Sequence, residues 1–207
     1  MTTVALKNVQ TLAEANWAKL TNLLASKISL WQGDITKLEI DAIVNAANRS
    51  LRGGGGVDGA IHRAAGPELA EECVKRYRHC ATGDAVITSA CRMQNVKNII
   101  HTVGPQAHQG VNAAIQEQFV SCYRKSLEVA TQNNVRTIAF PCISTGVYCY
   151  PNDEACQLAI ETVKKFLQKK DNYEKIDRVV FCVFLDVDYQ LYKLHLPKIL
   201  ADVTIEE

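Results

Sequence analysis

The stretch that decides the fold is Ala42-Ile43-Val44-Asn45-Ala46-Ala47-Asn48, followed after Arg49–Arg52 by Gly53-Gly54-Gly55-Gly56-Val57-Asp58-Gly59-Ala60-Ile61-His62. It opens as an apolar run of strand length, turns polar at Asn45, passes through glycine and then takes up helical spacing. Four consecutive glycines carry a conformational-entropy cost that a plain turn does not require. They permit positive φ and let a ligand approach the backbone. A helix that begins near Val57 points its free N–H groups at the same place. A glycine loop feeding a helix N-terminus is a phosphate site. The stretch therefore reads as strand, anion-binding loop and helix.

The same alternation extends in both directions. Strands are expected at Ile28–Trp31, Ala42–Asn45, Ala85–Ser89, Asn98–Val103, Arg136–Cys142 and Arg178–Phe184. Helices fall between them. The capping box Thr11-Leu12-Ala13-Glu14 opens a helix to Ala25. Val57–Ala65 and Glu68–Arg78 are parted at Gly66-Pro67, which cannot continue a helix. Asn112 caps Ala113–Gln132, Asn152 or Asp153 caps the next helix, and Asp188–Leu200 is the last. This pattern predicts a largely parallel sheet covered by helices on both faces, with ligands beyond the carboxyl ends of the strands.

Four strand exits carry candidate chemistry: Gly33-Asp34-Ile35-Thr36, the Asn45–Gly59 stretch, Ile143-Ser144-Thr145-Gly146-Val147-Tyr148, and Phe184. Ser144–Val147 is a second run of hydroxyls and amides after a strand, so two loops are able to clamp a diphosphate without a lysine. Gly54-x-Gly56-x-x-Gly59 matches the dinucleotide fingerprint in form only. The fingerprint starts directly after a strand, whereas Ala46–Gly53 intervene here, and Asp58 lies inside it. There is no P-loop and no G-x-S-x-G elbow, so Ser144 is a poor nucleophile candidate.

The 207 residues are 47% hydrophobic and 22% charged, which excludes a disordered chain and fits one domain. Lys and Arg number 23 against 22 Asp and Glu, which gives no support to a globally basic nucleic-acid surface or a polybasic membrane anchor. No run approaches the apolar length of a membrane span. The eight cysteines form no C-x-x-C pair. Several, such as Cys182, sit in apolar runs where a thiol acts as a small hydrophobe. With no signal-peptide pattern in the first residues, this leads us to expect a reducing compartment, cytosol or nucleus. His79, His108 and His195 lack partners for a metal, and His101 is expected to make a structural hydrogen bond. No metal or cofactor is called for.

Taken together, the five ordered motifs Gly33–Thr36, Val44–Asn48, Gly53–His62, His101-Thr102-Val103-Gly104-Pro105 and Ile143–Tyr148 resemble the macro domain family. Asn-Ala-Ala-Asn with Gly-Gly-Gly-Gly-Val-Asp-Gly-x-Ile-His is similar to its MacroD-type mono-ADP-ribosyl hydrolases. The resemblance covers residues 28 to 195. It implies a three-layer α/β/α sandwich with a mixed, largely parallel sheet and an ADP-ribose cleft. Residues 28–207 form the macro domain, and residues 1–27 are expected as a helical extension packed on it.

The resemblance also implies roles. Asp34 accepts a hydrogen bond from the adenine amino group, beside Gly33 and the Ile35 backbone; a carboxylate suits this as an acceptor. Phe184 stacks on adenine, with a core position as the alternative. Gly53, Gly54, Gly55, Gly56 and Val57 form one diphosphate loop, and Ile143, Ser144, Thr145, Gly146 and Val147 the other. Tyr148 packs on the distal ribose beside Cys149, where relatives often carry glycine. Ala46, Ala47 and Asn48 line the strand exit, with Asn48 at the ribose hydroxyls. For Asn45, hydrogen bonding to loop backbone stands beside a site role.

Asp58, with Asn48 and His62, is the implied catalytic group. Asp58 serves as general base or holds water and ribose in place, with the diphosphate itself as a second means of positioning water. A nearby diphosphate is expected to raise its pKa. For His62, packing or hydrogen bonding is preferred to proton transfer. The implied activity is removal of mono-ADP-ribose from acidic side chains, with deacetylation of O-acetyl-ADP-ribose as a second implied reaction; a non-catalytic reader of ADP-ribose is the alternative. The implied partners are ADP-ribose and mono-ADP-ribosylated proteins, with nucleic acid only as ADP-ribosylated ends, and the chain is expected to be a monomer.

Overall fold

The computed structural model describes residues 2–17, 20 and 22–206. Its strands are β1 (Val4–Ala5), β2 (Ile28–Gln32), β3 (Leu38–Ala46), β4 (Ala85–Ser89), β5 (Val96–Thr102), β6 (Thr137–Phe140) and β7 (Arg178–Val183). Its helices are α1 (Gly56–Ala65), α2 (Glu68–Arg76), α3 (Ala113–Gln132), α4 (Asn152–Gln168), α5 (Lys170–Lys175) and α6 (Asp186–Ile199). The sheet order is β2-β7-β6-β3-β5-β4, with β1 paired to the start of β3. Every pairing is parallel except β4–β5, so the sheet is mixed and largely parallel. No helix is long and apolar enough to cross a membrane among the described residues.

Both faces of the sheet are buried, which is why its central strands read as continuous apolar runs. Along β7, Val179, Phe181 and Val183 face one core, while Val180 and Cys182 face the other. The first core is closed by Phe119, Cys122 and Leu127 of α3, Ile160 and Val163 of α4, and Tyr192 and Leu196 of α6. The second is closed by Ile61 and Ala65 of α1 and Leu69 and Cys73 of α2. Helices on both sides of one sheet make a three-layer sandwich.

The structure corrects several boundaries, for physical reasons. The helix expected over Thr11–Ala25 does not form among the described residues; Ala18, Lys19 and Thr21 of that span lie outside them. The capping box itself is present: Thr11 N–H donates to Glu14 Oε2 at 2.7 Å, and Glu14 N–H donates to Thr11 Oγ1 at 3.0 Å. One turn closes, with Ala15 N–H bonded to Thr11 O at 2.9 Å, and the chain then leaves the helical path. Leu12 N–H bonds to Ile28 O, Ala13 N–H bonds to Ala25 O, and Asn16 turns to φ 49°. Only a short 3₁₀ turn, Leu23–Ser26, follows before β2.

Strand β3 begins at Leu38, not Ala42, because Asp41 is tolerated inside it. Its carboxylate accepts from Thr137 N–H, Thr137 Oγ1 and Lys97 Nζ. Burial acts to raise the Asp41 pKa, but these donors outweigh it and hold the group below its ordinary value. Asn152 is the first residue of α4 and not its cap. Its amide donates instead to Asp188 Oδ1 at 2.6 Å, tying α4 to α6.

Candidate active site

The exits of β2, β7, β6, β3 and β5 lie side by side in that order. They bring together Asp34, Phe184, the Ser144 loop, the glycine loop and His101. Neighbouring strands are about 4.8 Å apart, so four steps give a row about 19 Å long. At one end Gly33 N–H bonds to Val183 O at 2.9 Å, joining the β2 exit to the β7 exit. The Asp34 carboxylate accepts from Thr36 N–H and Thr36 Oγ1 through Oδ1 alone, which leaves Oδ2 as a free acceptor among the described residues. Ile35 is buried, so only its backbone is offered. Phe184 is 73% exposed. An aromatic so exposed at a strand end is not a core side chain.

In the middle of the row stand two runs of unused N–H groups. Among the described residues, the amides of Gly54–Val57 and of Thr145–Tyr148 donate to no protein acceptor. Helix α1 has Gly55 at its N-cap and no side-chain cap, so the positive end of its dipole is bare. The glycines divide by cause. Gly53 and Gly56 have φ of 83° and 57°. At Gly54 a Cβ would crowd Asp58 Oδ2 at 3.1 Å and Asn48 Nδ2 at 3.3 Å. Gly55 and Gly146 have neither reason, since a Cβ there would meet nothing within 4 Å. The protein's own packing does not require glycine at these two positions.

Ile143 is fully buried and contributes backbone only, while Val147 is 80% exposed. Ser144 turns to φ 62°, and its buried Oγ has no partner. Tyr148 is half-buried, and its carbonyl accepts from Ala107 N–H at 2.7 Å. Cys149 is exposed at φ 57°, in the left-handed region that favours glycine.

At the far end lies a buried polar cluster. Asp58 is 4% exposed in the first turn of α1. Asn45 Nδ2 donates to Asp58 Oδ1 at 2.8 Å and faces His101 Nδ1 at 3.1 Å. His101 Nε2 lies 2.9 Å from Thr88 Oγ1 and 3.7 Å from the Cys73 sulfur. Burial raises the Asp58 pKa above the usual carboxylate range, opposed by the Asn45 hydrogen bond and by His62. Burial also drives His101 down to about 3, so the ring is neutral. The Cys73 thiol is pushed up to about 12 by burial and stays protonated.

The structure gives both strand-exit asparagines protein partners. Asn48, expected at a ligand, donates to Gly53 O at 2.8 Å and accepts from Ser50 N–H and Oγ. It braces the glycine loop. Asn45, for which loop backbone was weighed, bonds the Asp58 side chain instead. His62 Nε2 is 3.4 Å from Asp58 Oδ1 but makes no hydrogen bond, and its ring lies under Gly53. Packing is its visible role. Thr88 was not foreseen; a threonine in an apolar strand carries no sequence signal of a buried partner. Ala46 and Ala47 border the exit of β3 as expected. A groove of about 750 Å³ between α3 and α4, lined among others by Arg124, Glu128, Glu161 and Lys165, includes none of these residues. Its charges are mixed in sign and converge on no atom.

The Macro domain family model matches residues 44–159. The ADP-ribose glycohydrolase MACROD2 of Xenopus laevis is 55% identical over 175 residues, 84% of this chain and 41% of that protein. A macro domain-containing protein of Methanosarcina mazei is 49% identical over 176 residues, 85% of this chain and 91% of that protein. The chain thus spans about two fifths of the length of the MACROD2 relatives it matches. The crystal structure of the Trypanosoma brucei macrodomain in complex with ADP-ribose aligns with a TM-score of 0.84 at 35% identity, over 95% of this chain and 78% of that one.

The raised pKa of Asp58 has a consequence for stability. The folded protein holds the Asp58 proton more tightly than the unfolded chain does. Stability therefore falls as pH rises through the window above 3.8, and the cost persists at neutral pH. Asp58→Asn, which removes the charge and keeps an acceptor for Asn45, is expected to raise the midpoint of thermal unfolding at pH 7. The gain should shrink as pH is lowered into the carboxylate range. Melting curves of both proteins at several pH values check this; a lower midpoint at pH 7 would contradict it.

Proposed function

The chain belongs to the macro domain family, and from that premise we propose that it is an ADP-ribose-binding hydrolase that removes mono-ADP-ribose from acidic side chains of proteins. The observation that carries this reading is Asp58: an anionic side chain, buried with a hydrogen bond from Asn45 and the His62 ring 3.4 Å away, at the end of a row of neutral anion-binding amides. Binding alone gains nothing from a buried carboxylate beside a dianionic ligand, whereas a base with a raised pKa is suited to activating water.

On this reading the ligand lies along the row. Asp34 Oδ2 and the Ile35 amide take the adenine, with Phe184 stacked on it. The amides of Gly54–Val57 and Thr145–Val147 hold the diphosphate. Tyr148, Cys149, Ala46, Ala47 and the loop braced by Asn48 enclose the distal ribose. Asp58 accepts a proton from the attacking water. The bond between ribose and the acidic side chain breaks, and the departing carboxylate is a good leaving group that needs no strong acid. In O-acetyl-ADP-ribose the activated water attacks the acetyl carbon instead, and the ribose oxygen leaves as a hydroxyl with the proton that Asp58 took up, which releases acetate. The modified proteins are the macromolecular substrates, and a monomer suffices because every group named comes from one chain. Apolar strand cysteines such as Cys182 suit a reducing compartment, cytosol or nucleus.

Two variants test this reading. Asp58→Ala should bind ADP-ribose within a few-fold of wild type and slow release from an acidic-linked substrate by about 10²-fold or more. A wild-type rate would remove Asp58 from the chemistry. Gly146→Glu should fold normally, because its Cβ meets no protein atom, and should lose ADP-ribose binding through bulk and charge. Unchanged affinity by calorimetry would overturn the two-loop clamp.

A further inference from the structure

The cluster beside Asp58 has a direction. Parallel register places Asn45 of β3 opposite His101 of β5, with Thr88 of β4 diagonal to it. All three side chains are buried. An ionised Asp58 only accepts, so Asn45 must present its NH₂ group to it. The second N–H of that group then meets His101 Nδ1, which must be the lone-pair nitrogen. The ring proton is therefore on Nε2 and is donated to Thr88 Oγ1. The Thr88 hydroxyl in turn donates to Ser89 O at 3.0 Å. Every proton in the chain is fixed by its neighbour, and the chain ends on the Asp58 carboxylate.

One atom shows the cost of this order. Asn45 Oδ1 is buried and has no partner. An unsatisfied buried acceptor persists only where the opposite orientation is worse. Turning the amide over would aim a carbonyl at Asp58 and at His101 Nδ1 together. That orientation requires a protonated Asp58 and a proton moved to Nδ1. The groups packed on the His101 ring are Asn45 from β3, Thr88 from β4, Cys73 with Glu72 behind it from α2, and His62 from α1 at 6.4 Å between ring centroids. Among the described residues, Thr88 is the only strong acceptor bonded to Nε2.

We propose that His101 is a positioning residue that never touches substrate. Its Nδ1 lone pair locks the Asn45 amide, and the locked amide keeps Asp58 ionised and aimed. Thr88 selects the tautomer. This inference rests on the hydrolase reading only for its kinetic arm.

The test compares wild type with His101→Leu, which removes the acceptor, and His101→Asn, which keeps one near Nδ1. His101→Leu should bind ADP-ribose as wild type does. It should lower the single-turnover rate about fivefold to tenfold, the scale of one neutral hydrogen bond. It should also move the acid limb of the pH–rate profile up by about one unit. His101→Asn should recover most of both. Carboxyl NMR of Asp58 in the ligand-free proteins reads the same upward shift without turnover. If wild type hydrolyses nothing, the function reading falls while the NMR arm still decides this one. A His101→Leu protein with the wild-type Asp58 titration overturns the proposal, as does a His101→Asn protein no better than His101→Leu. Should His101→Leu fail to fold, the near-isosteric Thr88→Val frees the tautomer. It should raise the Asp58 titration in the same direction; no change there overturns the proposal equally.

Discussion

A buried carboxylate, held by a hydrogen bond from Asn45 with the His62 ring 3.4 Å away, is the constraint around which this site is organised. Removing an ion from water costs several kcal/mol even after relaxation. A hydrogen bond to a charged group returns about 1.5–3 kcal/mol. The single bond from Asn45 to Asp58 therefore does not offset the burial, and the balance appears as a raised pKa. The strand register, the neutral His101 and Thr88 all follow from making that one bond dependable. The fold supplies the stability that holds Asp58 where its charge is uncomfortable, and discomfort is what makes a carboxylate a useful base.

On the proposed function, the rest of the site solves the opposite problem, which is binding a doubly charged ligand without adding charge. The two loops contain no lysine or arginine and have amides with no protein acceptor. Neutral donors oriented by the backbone hold phosphate without a cation that would also stabilise Asp58 at its ordinary pKa. A basic loop would pull the Asp58 pKa down and weaken it as a base. The balance of 23 basic and 22 acidic residues is thus consistent with a diphosphate site built from backbone.

Much of this was legible in the sequence because the α/β alternation and the glycine loop obey local rules. The core strands, α1, α3 and the two loops stand where the pattern places them, within a few residues. The failures have a common physical origin: local signals cannot see distant partners. Thr11–Glu14 is a true capping box, yet one turn follows it before Asn16 enters the left-handed region. Asp41 reads as a strand break until Thr137 and Lys97 are seen beside it. The protein partners of Asn45 and Asn48 were hidden for the same reason. Both lie at one strand exit, and only the register against β5 reveals that Asn45 turns toward His101 while Asn48 turns back into its own loop. Family resemblance supplied the ligand, and the structure supplied the cluster behind Asp58.

The account stands most directly on one measurement: release of ADP-ribose by the wild-type chain from acidic-, serine- and arginine-linked mono-ADP-ribosylated proteins, assayed side by side. A carboxylate leaving group needs no strong acid, and the only histidine beside Asp58 forms no hydrogen bond to it. Release should therefore be confined to the acidic linkage. Equal release from serine or arginine linkages, or none from the acidic linkage by a chain that binds ADP-ribose, would contradict the account.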